Sequence, residues 1–135
     1  MTFLPSPWDG LGVQGNFTYV ETATNVNGFP TQFIGSSKDN LNINAYYEKF
    51  GYALRVAYLY RSSYVNDFSN GVDIVDPQHQ VDASLSKKLT DHLELILTGS
   101  NLTSQDLAIR SQQGGFLTSY VQRPRSLAVA LRGSF

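Results

Sequence analysis

The chain has 135 residues, with 10 Lys and Arg against 11 Asp and Glu, so its formal net charge is −1. This balance disfavours nucleic-acid binding, which depends on a basic surface. Cysteine is absent, which excludes disulfide frameworks, thiolate metal sites and thiol nucleophiles. No run of about 18 apolar residues occurs, so the sequence predicts no transmembrane helix, and the length fits one domain or part of a larger one.

Apolar and polar residues alternate along the chain, which predicts β-strands and no helix. In the third predicted strand Tyr52, Leu54 and Val56 share one parity, and Arg55 has the other. Successive side chains of a strand point to opposite faces, so each strand has an apolar and a polar face. In chain order, the six predicted strands cover residues 11–19, 41–48, 52–61, 80–86, 93–98 and 126–135.

The links between these strands alternate between short and long. Tight turns are predicted near Lys49-Phe50 and Thr90-Asp91, which would make hairpins of strands two and three and of strands four and five. All long links then fall at one end of the sheet, and we expect them to be its most mobile parts. The long links run roughly over residues 22–38, 62–79 and 101–125.

Three architectures are compatible with this pattern: a soluble sandwich, a small soluble barrel around a ligand, and a transmembrane barrel. The polar faces carry Asn, Gln, Ser, Ala and a few Arg rather than the many Lys and Glu typical of a soluble sheet. The third strand has Tyr52 and Tyr60 at its ends, as in the aromatic girdles of membrane barrels. These two features favour the transmembrane barrel.

The last predicted strand alternates through Leu127, Val129, Leu131 and Gly133 and finishes at Phe135. It resembles the C-terminal signature of bacterial outer-membrane barrels, although that signature more often has an aromatic residue in place of Gly133. Asp82 and the element 101–103 (Asn-Leu-Thr) look typical of the closing strands of TonB-dependent receptors. Nearly the whole chain resembles the last part of those receptor barrels, including residues 10–19, 41–48, 52–64, 81–86 and 95–103.

The resemblance implies an all-β fold, an antiparallel meander of about six strands that forms the closing segment of a transmembrane β-barrel, with residues 1–135 as one partial barrel. An intact receptor takes up a scarce ligand across the bacterial cell outer membrane. The ligand class stays open among siderophores, cobalamin, haem and carbohydrates. The implied partners are outer-membrane lipid, that ligand, the barrel-assembly machinery, for which Phe135 would be the signal, and the TonB complex through a plug.

Such transporters have about 22 strands and a plugged lumen, whereas this sequence predicts six strands and neither a plug nor a TonB-contacting segment. The first residues also lack the basic and apolar regions of a signal peptide. We therefore expect a fragment of a receptor or a truncated reading frame. Two alternatives remain: a soluble β-barrel carrier of small ligands, and a small outer-membrane structural protein that closes its barrel by oligomerising.

The resemblance and the strand parity together assign candidate positions. Tyr64, at the root of a long link, is a candidate ligand contact, whereas Tyr58 and Tyr60 suit an interfacial girdle. The lipid-facing candidates are Ile43, Leu54, Val56, Leu95 and Val129. The lumen-facing candidates are Asn42, Asn44, Tyr46, Arg55, Arg61, Asp82, Glu94 and Arg132, together with Ala128. For the charged members the plainer interpretation is ordinary cross-strand pairing on a solvated face.

No catalytic residue, cofactor or metal site is predicted. Ser63, Asp67 and His79 have the residue types of a catalytic triad, but no nucleophile-elbow motif accompanies them, so we do not predict catalysis from them. The acidic residues around Gly71, which are Asp67, Asp73 and Asp76, lack the spacing and the closing Glu of a calcium loop. The sequence therefore favours a protein that is not an enzyme.

Overall fold

The computed structural model describes residues 9–26, 29–68 and 71–134. Within these ranges the secondary structure is entirely β, in antiparallel sheets, and no helix is long and apolar enough to cross a membrane. The described strands are β1 (Leu11–Tyr19), β2 (Thr24–Val26), β3 (Phe29–Thr31), β4 (Asp39–Lys49), β5 (Tyr52–Arg61), β6 (Tyr64–Asp67), β7 (Asp73–Val75), β8 (Gln78–Thr90), β9 (Leu93–Ser100), β10 (Leu107–Ser111), β11 (Leu117–Val121) and β12 (Ser126–Gly133).

Six long strands form one antiparallel sheet, here called the large sheet, in the order β1-β4-β5-β8-β9-β12. The predicted meander and both predicted hairpins are confirmed, because β4 pairs with β5 and β8 pairs with β9. In the first hairpin Phe50 and Gly51 join Lys49 to Tyr52 with φ values of 54° and 75°. Two successive positive φ values are those of a type I′ turn, whose twist matches that of the flanking strands.

The register of the large sheet collects the apolar parity of every strand on one side. Leu54 lies opposite Leu85, Leu85 opposite Leu97, and Leu97 opposite Val129. Arg55 points to the other side, so the predicted separation of the two parities is confirmed. We call these sides the apolar face and the polar face of the large sheet.

The long links are not irregular loops, and the prediction of six strands undercounted them. Six further short strands lie in these links among the described residues. We call β6, β7, β10 and β11 the loop assembly, since they form a four-stranded sheet in the order β11-β10-β7-β6. Strands of three to five residues are too short to show an alternation, and the pairing of β7 with β10 joins two different links. Neither feature is readable from local sequence.

The sheets are not closed into a barrel. Within the described residues β1 and β12 each pair along one side only, so the large sheet has two open edges. The buried apolar side chains of the described residues are Val65 and Val75, and both belong to the loop assembly. The large sheet therefore has no apolar core of its own.

Candidate functional site: the two faces of the large sheet

The apolar face is continuous across all six long strands, yet it is exposed. Val56 and Ile43, on central strands, each keep 37% of their surface accessible, and Leu127 on the edge strand β12 keeps 78%. Solvated sheets of ordinary domains bury this kind of face against another layer. Among the described residues no second layer covers it.

Aromatic side chains border the apolar face at its two ends. At the end with the long links Tyr60 stacks on His79 with ring centroids 5.3 Å apart, and the Tyr58 hydroxyl lies 3.5 Å from Nδ1 of His79. At the end with the short turns Tyr52 and Tyr47 occupy the same face. Tyr52 and Tyr60 are eight residues apart, or about 27 Å along an extended strand. That spacing is close to the apolar band of about 25 Å in outer-membrane barrels.

The polar face holds all of the side chains that the sequence predicted to face a lumen. Asn42, Asn44 and Tyr46 lie on β4, Arg55 and Arg61 on β5, Asp82 on β8, Glu94 on β9, and Arg132 and Ala128 on β12, all at positions of one register parity. Glu94 and Arg132 are direct cross-strand partners, with Oε2 and Nη1 3.4 Å apart. This pair matches the plainer interpretation of cross-strand pairing.

Arg55 lines two of the concavities along the polar face, which have volumes of about 540 Å³ and 460 Å³. The larger is walled mainly by small and hydroxyl-bearing side chains, including Ser84, Thr98 and Ser126. Arg55 itself makes no ion pair within the described part of the chain. Arg55 and Asp82 therefore share a shallow, hydroxyl-lined concavity on the polar face without forming an ion pair with each other.

Tyr46 has a structural partner on the polar face. It lies directly opposite Gly12 on β1, and a Cβ at Gly12 would collide with the Tyr46 ring. An aromatic ring that covers a cross-strand glycine shields backbone that glycine leaves bare. Tyr46 thereby supports the β1–β4 pairing, in addition to any contact it makes with a ligand.

Asp82 and Asn101 form a bonded unit where β8 and β9 meet the long links. The Asp82 carboxylate accepts hydrogen bonds from the backbone N–H of Asn101 at 2.8 Å and from the Ser100 hydroxyl at 3.2 Å. Asn101 is buried, has a φ of 51°, and donates from Nδ2 to the carbonyl of Arg123 at 2.6 Å. The residues that suggested the receptor resemblance thus tie β8, β9 and the approach to β12 together.

Arg61 and Tyr64 join two of the long links. The Arg61 guanidinium carbon lies 3.8 Å from the centroid of the Tyr64 ring, and Nε donates to the Ser37 hydroxyl at 3.0 Å. Arg61 Nη2 also donates to the carbonyl of Gly35. Tyr64, a candidate ligand contact, is half-buried, and one face of its ring is already covered by this arginine.

A further contact in the third long link was not anticipated from the sequence. The Tyr120 hydroxyl donates to Asp106 Oδ2, and the backbone N–H of Arg123 donates to Oδ1 at 2.9 Å. The tyrosine hydrogen bond, with the backbone bond second, holds the pKa of the Asp106 carboxyl below its ordinary value. Their separation of 14 residues gives no local pattern from which this pair could be found.

The other candidates lie as follows. Asp67 and Asp73 are cross-strand partners in the loop assembly, while Asp76 pairs with Arg110 through an Nε–Oδ2 distance of 2.8 Å. Within the described ranges no three acidic or histidine side chains gather as metal ligands. The predicted assembly signal, Phe135, lies outside the described residues.

In comparisons with known proteins, no family model, no curated protein and no solved structure matches the chain.

Proposed function

We propose that this chain is a wall segment of an outer-membrane β-barrel, the C-terminal part of a TonB-dependent receptor that takes up a scarce small ligand. In this proposal the apolar face contacts lipid and the polar face lines the lumen. The long links stand outside the cell, where they hold ligand. The chain contributes binding surface and barrel wall rather than catalysis.

One observation carries the proposal: an apolar face that is exposed across six strands and is bordered by aromatic residues at both ends. A soluble carrier would place this face inside a closed barrel around its ligand. Here the sheet is open, and the polar face carries charged side chains, including Arg55 and Asp82, around a hydroxyl-lined concavity. Lipid outside and water inside satisfy both faces at once.

The two open edges favour one further candidate, a small structural barrel made of several copies. Each unpaired backbone N–H or C=O group of β1 and β12 would cost several kcal/mol in a hydrocarbon phase, because no water is there to form the missing hydrogen bond. Either additional strands of a receptor or the edges of other copies would satisfy them. The coding sequence upstream of Met1 separates the two: a plug and further strand pairs support the receptor.

The membrane orientation is tested with single cysteines, for which the cysteine-free chain is a suitable background. Leu85→Cys on the apolar face and Ser84→Cys on the polar face are adjacent on the central strand β8. Each variant of the full chain is reconstituted in phosphocholine vesicles and labelled with an environment-sensitive fluorophore. We expect brominated lipid to quench the label at 85 and aqueous iodide to quench the label at 84.

Leu97→Cys and Thr98→Cys repeat the comparison on β9, where the same two faces continue. Equal access of iodide to both labels in each pair would show that the apolar face is in water, and it would remove the membrane proposal. A monodisperse monomer without detergent would point instead to the soluble carrier.

A further inference from the structure

Two lysines lie on the apolar face, at its short-turn end. Lys49, Tyr52 and Lys87 are direct cross-strand partners on β4, β5 and β8, so the two lysines flank the tyrosine on one side of the sheet. Neighbouring strands are about 4.8 Å apart, which separates the two lysine backbones by about 10 Å. Cations on an otherwise apolar surface call for a specific explanation.

Aromatic rings and a backbone carbonyl hold the two ammonium groups in place. Nζ of Lys87 lies 3.5 Å from the centroid of the Tyr52 ring and donates to the Phe50 carbonyl at 3.3 Å. Nζ of Lys49 lies 4.9 Å from the centroid of the Phe50 ring. A ring face attracts a cation and limits where its side chain points. The lysines are therefore positioned at the margin of the apolar face, next to the turn.

Among the described residues one carboxylate, that of Asp9, forms an ion pair with these lysines. Asp9 Oδ1 lies 2.6 Å from Nζ of Lys49, and this hydrogen bond holds the pKa of the Asp9 carboxyl below its ordinary value. Lys87 makes no ion pair within the described residues. The next lysine along β8, Lys88, points to the polar face, where it is the cross-strand partner of Glu94. Of the two lysines on the apolar face, Lys87 is therefore the one without an ion pair among the described residues.

We propose that Lys49, Tyr52 and Lys87 form a binding site for the headgroup phosphate of an anionic phospholipid. This inference rests on the proposed membrane orientation and specifies which lipid the short-turn end selects. The phosphodiester lies between the two ammonium groups at the headgroup level, where aromatic rings and lysines sit favourably. The acyl chains continue along Leu54 and Leu85, the next apolar-face residues on β5 and β8. A free phosphate ion would make no use of that adjoining apolar surface.

The test measures lipid selectivity next to the site. The full chain with Leu85→Cys carries a bimane label two residues from Lys87 on the same strand and face. It is reconstituted in mixed vesicles in which either phosphatidylglycerol or phosphatidylcholine is brominated. The ratio of the two quenching curves gives the local preference for the anionic lipid, which we expect to be about fivefold or more.

Three substitutions then identify the source of the preference. Lys87→Gln should lower it about fivefold, the usual effect of one lysine near an anionic surface. Lys88→Gln, a neighbouring lysine on the opposite face, should leave it unchanged. Asp9→Asn should raise it, because the phosphate no longer competes with a carboxylate for Lys49. Added inorganic phosphate should compete poorly, since it has no acyl chain.

Two outcomes would overturn the site: a preference near one in the labelled Leu85→Cys chain without further substitutions, or equal losses when Lys87→Gln and Lys88→Gln are added to it. Equal losses would mean a diffuse effect of net charge instead of a local site. Failure of the membrane proposal has a different signature, because neither brominated lipid would then quench the label.

Discussion

The large sheet and the loop assembly differ in where their apolar side chains lie: exposed on one face of the large sheet, and buried inside the loop assembly. The loop assembly is small but holds the buried apolar side chains of the described residues, Val65 and Val75, which are 6% and 1% exposed. The large sheet has many more apolar side chains, and Val129 on its edge strand stays 71% exposed. One region is stabilised from within, whereas the other lacks an internal source of hydrophobic stabilisation.

The contrast shows that exposure has a different meaning in the two regions. Burial of apolar surface is the main favourable contribution to folding in water. The loop assembly obtains this contribution from its own side chains and from the β7–β10 pairing. The large sheet requires a second apolar phase, and lipid supplies it in the proposal made above. Substitutions should therefore be judged by face in the large sheet and by burial in the loop assembly.

The largest effect is expected from a charge at the middle of the large sheet. Val56 lies midway between Tyr52 and Tyr60 on the apolar face, and Ala57 is its neighbour on the polar face. Val56→Arg should lower the free energy of unfolding of the full chain in phosphocholine vesicles by about 2–4 kcal/mol. Ala57→Arg should change it far less, because it faces water and lies opposite Asp82.

Denaturant titration followed by intrinsic fluorescence gives both free energies of unfolding. If Val56→Arg and Ala57→Arg lower the free energy of unfolding by similar amounts, the two faces do not differ in environment, and a sheet with water on both sides is favoured.

The loop assembly should respond to a loss of volume at its centre. Val75→Ala removes two buried carbons, so we expect the local free energy of opening to fall by about 2 kcal/mol. Native-state amide exchange at Ile74 and Ile109 measures this local opening. Val121→Ala, on the exposed strand β11, is the matched control and should shift it by less than about 0.5 kcal/mol. Equal shifts in the two variants would show that Val75 has no special part in the packing.

Asn101 tests how firmly the two regions are joined. In Asn101→Gly the new glycine tolerates the φ of 51° at this position. The substitution therefore removes only the side-chain hydrogen bonds, including the bond to the Arg123 carbonyl. We expect a loss of about 1–2 kcal/mol in the unfolding free energy, because the carbonyls and N–H groups around this buried site lose their partner. Hydrogen exchange at Leu102 and Gln105 should rise more than exchange at Leu54. A uniform rise across the large sheet would contradict the local role of Asn101.

The smallest effect concerns protonation of Asp106 in the third long link. Its pKa is lowered in the folded chain from the ordinary value of 3.8, first by the hydrogen bond from Tyr120. A lowered folded pKa gives stability that is fully present above the unfolded pKa and is lost as the pH falls through the folded pKa. The ordering of this link should therefore persist at neutral pH and weaken only below the ordinary pKa of 3.8, as the pH approaches the lowered pKa of the folded chain.

Carbon-13 titration of the Asp106 carboxyl in detergent micelles measures the pKa directly. Tyr120→Phe should move it back toward the ordinary value, although the backbone bond from Arg123 keeps part of the shift. An unchanged titration in Tyr120→Phe would remove the tyrosine as the cause.

Local sequence was sufficient for the architecture of the large sheet. The alternation of Leu54, Arg55 and Val56 assigned each side chain to a face, since the two-residue period of a strand is a property of the backbone itself. The Phe50-Gly51 turn followed from its position between two alternating segments. The same reasoning placed the predicted lumen residues on one face of the large sheet.

Tertiary structure alone decided the remaining features, because they join residues that are distant in the chain. The pairing of Ile109 with Val75, the hydrogen bond from Arg61 to the Ser37 hydroxyl and the contact of Lys87 with Tyr52 are not encoded in any local period. Strands as short as β7 carry too few residues for a pattern, so their existence depends on partners supplied by another link. The sequence by itself determined which side of each long strand is apolar, because that choice is made residue by residue. Only the folded chain determined which links meet and which aromatic ring each lysine contacts, because those contacts require strand register across the whole sheet.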